Sequence, residues 1–406
     1  MTKEIKLGDI KKYQEKYTNN KENVKIQETI IKDGLEKACF NKELQEKYKY
    51  KFNIQIPEIK MYNQKNGYEC NIYAFLRVIK SIMKKDNSIN TKCLDLSATY
   101  IDFYDKLEKV NTFYNELLKE DKITLELINE LANKYIGVFG TFNFCKKIIN
   151  KYGLVPTKFM PDVTDKYNAN LMIELLKNKI KADATILLDK NTEEKQSLKE
   201  FLISEVYNFL SKILGNPPTI IEYKKEKLTP EQFRWKYLKT NLNEYVTLTM
   251  HDKNTLYDSY SFIPSIYLKD DERILVLNQN KIIDAIVKQL KDGIGVWFSS
   301  EESTTLDYNS NILDDNVFNY KKLLNIKEIP NKHKLQLDLI NYDHAMCITG
   351  ALVKNKRVKQ FKVDNSFGYH GKHKGHLIMT DSFFKNCVIT LIINEKYLNL
   401  KKETSN

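Results

Sequence analysis

Cys70 opens an apolar stretch a short loop after Gln64, and far downstream His344 is followed by Asn365. A thiol, an imidazole and two amides in this arrangement are the parts needed for covalent attack on a carbonyl. The thiol reacts as thiolate, yet a free cysteine with a pKa near ~8.5 is mostly protonated at neutral pH. A helix N-terminus and a neighbouring imidazolium both favour the anion. His344 can supply that imidazolium and later protonate a leaving amine. Asn365 can hold the ring in one tautomer, as the third member of a triad does. The Gln64 amide and the Cys70 backbone N–H are candidate oxyanion donors, each typically worth ~3 kcal/mol in a transition state.

Each of these residues alone has an ordinary structural explanation, so the argument rests on the elements that carry them. From Cys70 onward, apolar residues at 72, 75, 76, 79, 82 and 83 follow the helical period, which predicts Cys70 in the first turn of a buried helix. Met346 to Val353 and Gln360 to Val363 flank a polar turn at Asn355, as a hairpin would. His344 then enters the first strand and Asn365 leaves the second, so neighbouring strands bring them within reach.

The rest of the chain frames these elements. Residues 1–60 read as helices broken at Asp33-Gly34, ending in the strand-like Phe52 to Pro57. Helical patterns recur over 94–135, and 165–215 read as mainly helical, closing at Leu214-Gly215-Asn216-Pro217-Pro218. Short strands and turns are expected over 219–275, a helix over 280–292, a buried strand at Val296-Trp297-Phe298, and another from Cys387 to Ile393. Helices first and strands last predict an α+β protein with its site between the layers.

Composition bounds the function classes. The 406 residues suffice for one large or two ordinary domains, and 42% hydrophobic with 29% charged residues indicates a folded chain. No apolar run approaches the ~18 residues of a membrane span, and the N-terminus lacks the apolar core of a signal peptide. Six cysteines lie without CxxC spacing, which argues against a disulfide scaffold or structural zinc and for a reducing cytosol. The other five cysteines are expected to fill core space. The net charge of +12 is spread among interleaved acids, as over Lys195 to Glu200, and does not favour nucleic acid as the main partner. His370, His373 and His376 fall in a Lys/Gly-rich stretch read as a solvated loop, and no metal or other cofactor is expected. Neither a P-loop nor GxGxxG occurs.

Taken together, these residues resemble the bleomycin hydrolase and bacterial aminopeptidase C family, a branch of the papain superfamily. The likeness runs through Lys32-Asp33-Gly34-Leu35, Asn63-Gln64-Lys65, Leu96-Ser97-Ala98-Thr99-Tyr100 and Asp105-Lys106-Leu107-Glu108-Lys109. It continues in Tyr152-Gly153-Leu154-Val155-Pro156, Leu214 to Pro218, Val296-Trp297-Phe298, His344-Ala345-Met346, Asn365-Ser366-Phe367-Gly368 and Met379-Thr380-Asp381. The resemblance implies a papain-like fold with a helical half and a β-barrel-like half, plus a helical insertion. The wide Cys-to-His separation fits that insertion, since simple papain-like enzymes place the His roughly 130–150 residues after the Cys. The expected division is an N-terminal segment over 1–60, a helical half carrying the Cys over 61–160, a mainly helical insertion over 161–275, and a β-rich half carrying His and Asn over 276–406. By the same resemblance the protein is a cytosolic homohexamer that removes residues from peptide N-termini. Cys70 is then the nucleophile, His344 the base and acid, Asn365 the orienting residue and Gln64 the oxyanion donor.

The departures cluster around the thiol. The family usually reads Gly-Arg-Cys-Trp where this chain has Tyr68-Glu69-Cys70-Asn71, and Phe367 replaces a Trp. Tyr68 should reshape the cleft, and an inward Glu69 should disfavour the thiolate. The tail after Ile393 is shorter than the family's, which opens an oligopeptidase or endopeptidase alternative. A catalytically weak homologue retained as a binding or assembly protein is motivated by residues 68, 69 and 71. A basic ring binding nucleic acid rests only on the charge.

Overall fold

The computed structural model describes residues 4–65, 67–86, 94–163, 168–251, 274–301, 305–330, 333–334, 337 and 344–398. Four helices open the chain: α1 Leu7–Thr18, α2 Lys21–Asp33, α3 Leu35–Cys39 and α4 Lys42–Lys47. The break between α2 and α3 falls at Gly34, whose φ of 85° is ready for a chain reversal that side-chain-bearing residues resist. α5 spans Cys70–Lys85 and is buried on every side from Asn71 to Met83. Around it pack α6 Ala98–Leu117, α7 Leu125–Tyr135 and α8 Phe142–Tyr152, each capped at its N-terminus by a Ser or Thr hydroxyl. α9 Ala169–Ala184 and α10 Thr192–Leu214 follow and share the same apolar core.

The second layer is a ten-stranded mixed sheet. Its strands are β1 Ile54–Gln55, β4 Tyr245–Thr249, β5 Ile274–Val276, β6 Val296–Ser300, β7 Leu306–Asp307, β8 Ile312–Leu313, β9 His344–Lys354, β10 Arg357–Asp364, β11 His376–Thr380 and β12 Val388–Asn394; β2 Ile221–Tyr223 and β3 Glu226–Leu228 form a separate hairpin. The main order is β5-β4-β12-β6-β9-β10-β11-β8-β7, with β1 on β9. β9 and β10 form the expected hairpin, turning at Asn355 and Lys356, both at positive φ. Along β9 the pleat divides the two cores: Ala345 and Cys347 join the helical half, while Met346 and Ile348 join the apolar layer beyond the sheet.

Three local readings differ from expectation. Residues 219–275 hold, besides short strands, a helix α11 at Pro230–Tyr237. Its signal was present in Thr229-Pro230-Glu231-Gln232, a reciprocal capping box with proline in the first turn. Tyr245–Thr249, within the stretch expected to be a mainly helical insertion, pairs with β12 in the main sheet. The strand-like run Phe52 to Pro57 contracts to two residues against Ala351 and Gly350. Residues 252–273 lie outside the described residues.

One buried ion pair fastens the two layers. Arg77, two turns into α5, donates through Nε to Asp364 Oδ2 at 2.7 Å, with only 5% and 7% of the two side chains exposed. Arg77 also reaches the Pro57 carbonyl at 3.3 Å. The other Asp364 oxygen accepts from the Thr349 hydroxyl at 2.7 Å and meets His376 Nδ1 at 2.7 Å. Burial alone would raise the Asp364 carboxyl; the Arg77 guanidinium and His376 outweigh it and hold the group well below the usual carboxylate range.

Because Asp364 is depressed in the folded state, its stabilisation is complete above the unfolded value of about 4 and fades as pH falls toward the folded one. Asp364→Asn should therefore flatten the acid limb of a stability-versus-pH profile. Arg77→Met should cost about 3–5 kcal/mol by urea unfolding at neutral pH, because it strands a buried carboxylate. The double variant Arg77→Met with Asp364→Leu should recover part of that loss.

Candidate active site

The loop before α5 lies along the segment that leaves β10. The Gln64 N–H donates to the Ser366 carbonyl at 2.6 Å, and Asn63 pairs with Phe367 in an antiparallel bridge. The Gln64 side chain, only 4% exposed, is fixed at both ends. Its Oε1 accepts from the Ser366 hydroxyl, and its Nε2 donates to the Gly67 carbonyl at 2.9 Å. A Cβ at Gly67 would stand 1.9 Å from Glu69 Oε2, so a larger residue there would displace the Glu69 carboxylate.

Cys70 is the first residue of α5, so its backbone N–H belongs to the unsatisfied first turn and its thiol to the positive end of the helix dipole. The next residue anchors that turn: the Asn71 carbonyl accepts from the Trp297 indole N–H at 3.2 Å. The remaining described cysteines are unsuited to the same chemistry. Cys39, Cys145, Cys347 and Cys387 are buried, whereas Cys70 is half-buried. Burial pushes all four thiols up, that of Cys347 to about 12. Cys93 lies outside the described residues.

His344 begins β9, paired with Ser300 of β6. Its Nε2 lies 2.7 Å from Asn365 Oδ1, which also accepts the Ser366 N–H at 2.8 Å. The Phe367 ring stacks on the imidazole at 5.4 Å and 4°, covering one face of the His–Asn pair. Both residues are buried, at 5% and 3% exposure. The helix and the hairpin meet at a small cavity lined by Ala74, Arg77, Ala345 and Asn365. Ala74 is one turn along from Cys70 in α5, and Ala345 is the neighbour of His344 in β9.

The structure also gives the departures around the thiol their surroundings. Tyr68 is exposed, and its hydroxyl accepts from Asn170 of α9 at 2.6 Å. Glu69 is buried with its carboxylate over Gly67 and acts on Lys106 of α6. Asn71 fills a gap beside Gly140, where a Cβ would come 2.2 Å from its amide nitrogen, and donates weakly to Cys145 Sγ at 3.8 Å. Two contributors escaped the sequence reading, Ser366 and Trp297. Ser366 could have been found from its position in Asn365-Ser366-Phe367-Gly368; Trp297 read only as a buried strand residue.

The histidine-rich stretch is a turn with Gly371, Lys372 and Lys374 exposed, as expected, but its histidines are half-buried against partners. His373 stacks on Tyr50 at 4.1 Å, His376 starts β11 against Asp364, and His370 Nδ1 lies 3.1 Å from the Phe367 carbonyl. Tyr50, far away in sequence, and the nearer Asp364 and Phe367 cover the imidazoles while the glycine and lysine residues stay open.

Comparison with known proteins extends over nearly the whole chain. The sequence profile described as the Peptidase C1-like family matches residues 4–405. Aminopeptidase E of Lactobacillus helveticus is 27% identical over 426 residues, covering 99% of this chain and 96% of the relative. Aminopeptidase C of Listeria monocytogenes is 26% identical over 420 residues, covering 98% and 94%. Among solved structures, PepW from Lactobacillus rhamnosis superposes with a TM-score of 0.86 at 26% identity, covering 98% of this chain and 94% of that one.

Exposure separates Cys70 from the other described thiols. A brief treatment of the native protein with a charged thiol reagent should modify Cys70 before Cys39, Cys145, Cys347 or Cys387, as read by peptide mass spectrometry. Cys70→Ser should remove that modification.

Proposed function

The chain belongs to the Peptidase C1-like family, and from that premise we propose that it is a cysteine aminopeptidase removing residues from the N-termini of short peptides. The observation that carries this reading is the 2.7 Å contact between His344 Nε2 and Asn365 Oδ1 beside a helix that opens on a half-buried cysteine. With Nε2–H donated to Asn365, Nδ1 is the nitrogen that takes the Cys70 proton. The Cys70 thiolate attacks the scissile carbonyl, and the oxyanion is met by the Cys70 N–H and the second Gln64 Nε2–H. Gln64 suits that task because Ser366 and Gly67 fix its amide before substrate arrives. His344 then gives its proton to the leaving amine as the C–N bond breaks, leaving a thioester on Sγ. Water attacks the thioester with His344 as base, releasing the acid and restoring the thiol.

The relatives' names support the aminopeptidase assignment, since aminopeptidases E and C align over nearly their whole lengths. The same family resemblance supports a cytoplasmic homohexamer, which light scattering of the purified chain would read as a particle of six copies. Among the described residues no helix is long and apolar enough to cross a membrane. Near the C-terminus the Tyr397 hydroxyl donates to Asp292, and Leu398 is buried in the core beyond the sheet. Asp292 also pairs with Lys85, at the opposite end of α5 from Cys70. Residues 399–406, on which the expected tail argument turned, lie outside the described residues.

Aminoacyl coumarylamides should be hydrolysed, with turnover abolished by Cys70→Ala. Gln64→Ala should lower kcat by about 10²–10³. The aminopeptidase reading predicts that N-acetylated versions of the same substrates are left intact. Efficient cleavage of the blocked peptides would replace it with the oligopeptidase reading.

A further inference from the structure

The small cavity where α5 meets the hairpin is lined by Tyr62 as well as by Ala74, Arg77, Ala345 and Asn365. It has room for about one water molecule. Three of these residues carry a buried polar atom with no hydrogen-bond partner among the described residues: Asn365 Nδ2, Arg77 Nη1 and the Tyr62 hydroxyl. Asn365 and Arg77 are only 3% and 4% exposed. Buried polar atoms are rarely left unpaired, and three around one cavity call for a common partner.

The chemistry of the three atoms says what that partner is. Arg77 directs Nε to Asp364 and Nη2 to the Pro57 carbonyl, which leaves the Nη1 hydrogens. Asn365 receives the Ser366 N–H at Oδ1 and meets His344 Nε2 there, which leaves the Nδ2 hydrogens. Two donors cannot satisfy each other, so an acceptor has to stand between them. Burial pushes the Tyr62 phenol well up, so the hydroxyl is uncharged at neutral pH and can itself accept. Tyr62 and Arg77 lie near enough for each to act on the other's ionisation. A water accepts two hydrogen bonds and still donates, which meets all three needs.

The direction of the Asn365 amide depends on this partner. Turned end for end, it would present Oδ1 to the guanidinium and Nδ2 to His344 Nε2. The imidazole would then hold its proton on Nδ1, the nitrogen that has to receive the Cys70 proton. A guanidinium in direct contact favours that reversed amide, whereas a water accepting from both donors favours the observed one. We propose that the cavity binds one ordered water, accepting from Arg77 Nη1 and Asn365 Nδ2 and donating to the Tyr62 oxygen, and that Arg77 and Tyr62 are thereby positioning residues for the His344 tautomer. This rests on the reading of His344 and Asn365 as catalytic and adds the groups that hold them.

A high-resolution crystal structure of the Cys70→Ser protein should show one water within hydrogen-bond distance of all three atoms. A dry cavity, or a protein group satisfying Asn365 Nδ2, overturns the proposal. Tyr62→Phe removes the water's acceptor and keeps the ring, and it should lower kcat several-fold with KM unchanged. Heteronuclear NMR of histidine-labelled Cys70→Ser, where no thiolate charges the ring, should show His344 as the Nε2–H tautomer. Adding Tyr62→Phe should shift part of it to Nδ1–H. A lower urea midpoint with kcat and tautomer unmoved marks a merely structural Tyr62 and overturns the positioning role. Ala74→Val and Ala74→Thr serve if Tyr62→Phe fails to fold. Their side chains have the same shape, but the valine methyl displaces the water where the threonine hydroxyl can replace it. The valine protein should have a kcat several-fold below the threonine one; equal values, or a faster valine protein, overturn the water site. If the wild type turns over no aminoacyl substrate, the catalytic reading fails by itself, and the crystallographic water and the His344 tautomer still decide this one.

Discussion

The Arg77–Asp364 pair is the contact on which the geometry of the whole site depends. It joins the middle of the buried helix to the end of a sheet strand, and each partner is a short distance along its own element from a proposed catalytic residue. Asp364 is followed at once by Asn365, while Arg77 lies two turns beyond Cys70. A buried ion pair in a dry seam tolerates little change in distance, since neither charge has solvent to fall back on. Helix and hairpin are thereby held in register near the ends that carry Cys70 and His344. His376 and Thr349 complete the shell of the carboxylate, so the third strand of that region is drawn into the same joint.

Much of this arrangement was legible in the sequence because it depends on local pattern. The apolar period after Cys70 located the helix start, and the polar turn at Asn355 located the hairpin that carries His344 and Asn365. Such signals survive because a helix buried on all sides and a β-hairpin each impose their own spacing on the chain. Tertiary contacts were not legible. Nothing near Trp297 announces that its indole will donate to the Asn71 carbonyl in the first turn of α5, and nothing near Ser366 announces that its hydroxyl will hold Gln64. The helix at Pro230–Tyr237 is a different kind of miss, because its capping box was readable. The partners of the histidines were missed in part because Tyr50, which stacks on His373, is remote in sequence.

Glu69 shows how a residue type can mislead when its direction is unknown. A carboxylate one residue before a nucleophilic thiol reads as an obstacle to ionisation. In the fold it lies over Gly67, within the electrostatic reach of the Lys106 ammonium. The backbone of residues 67–69 decides this, because only a glycine at 67 leaves room for the side chain to lie back. The charge that threatened the chemistry is set instead against the Lys106 ammonium in the interior.

α5 is encased in the core from Asn71 to Met83, whereas the three residues before Cys70 face a loop and a cavity. Inheritance can therefore act on the two sides of the thiol at very different rates. Substitutions along the helix disturb packing unless a neighbour makes room, as Gly140 does for Asn71. A replacement at the exposed Tyr68 costs the fold little, whereas Glu69 is held in the interior. A lineage built this way can exchange one diet of peptides for another without ever passing through an inactive ancestor.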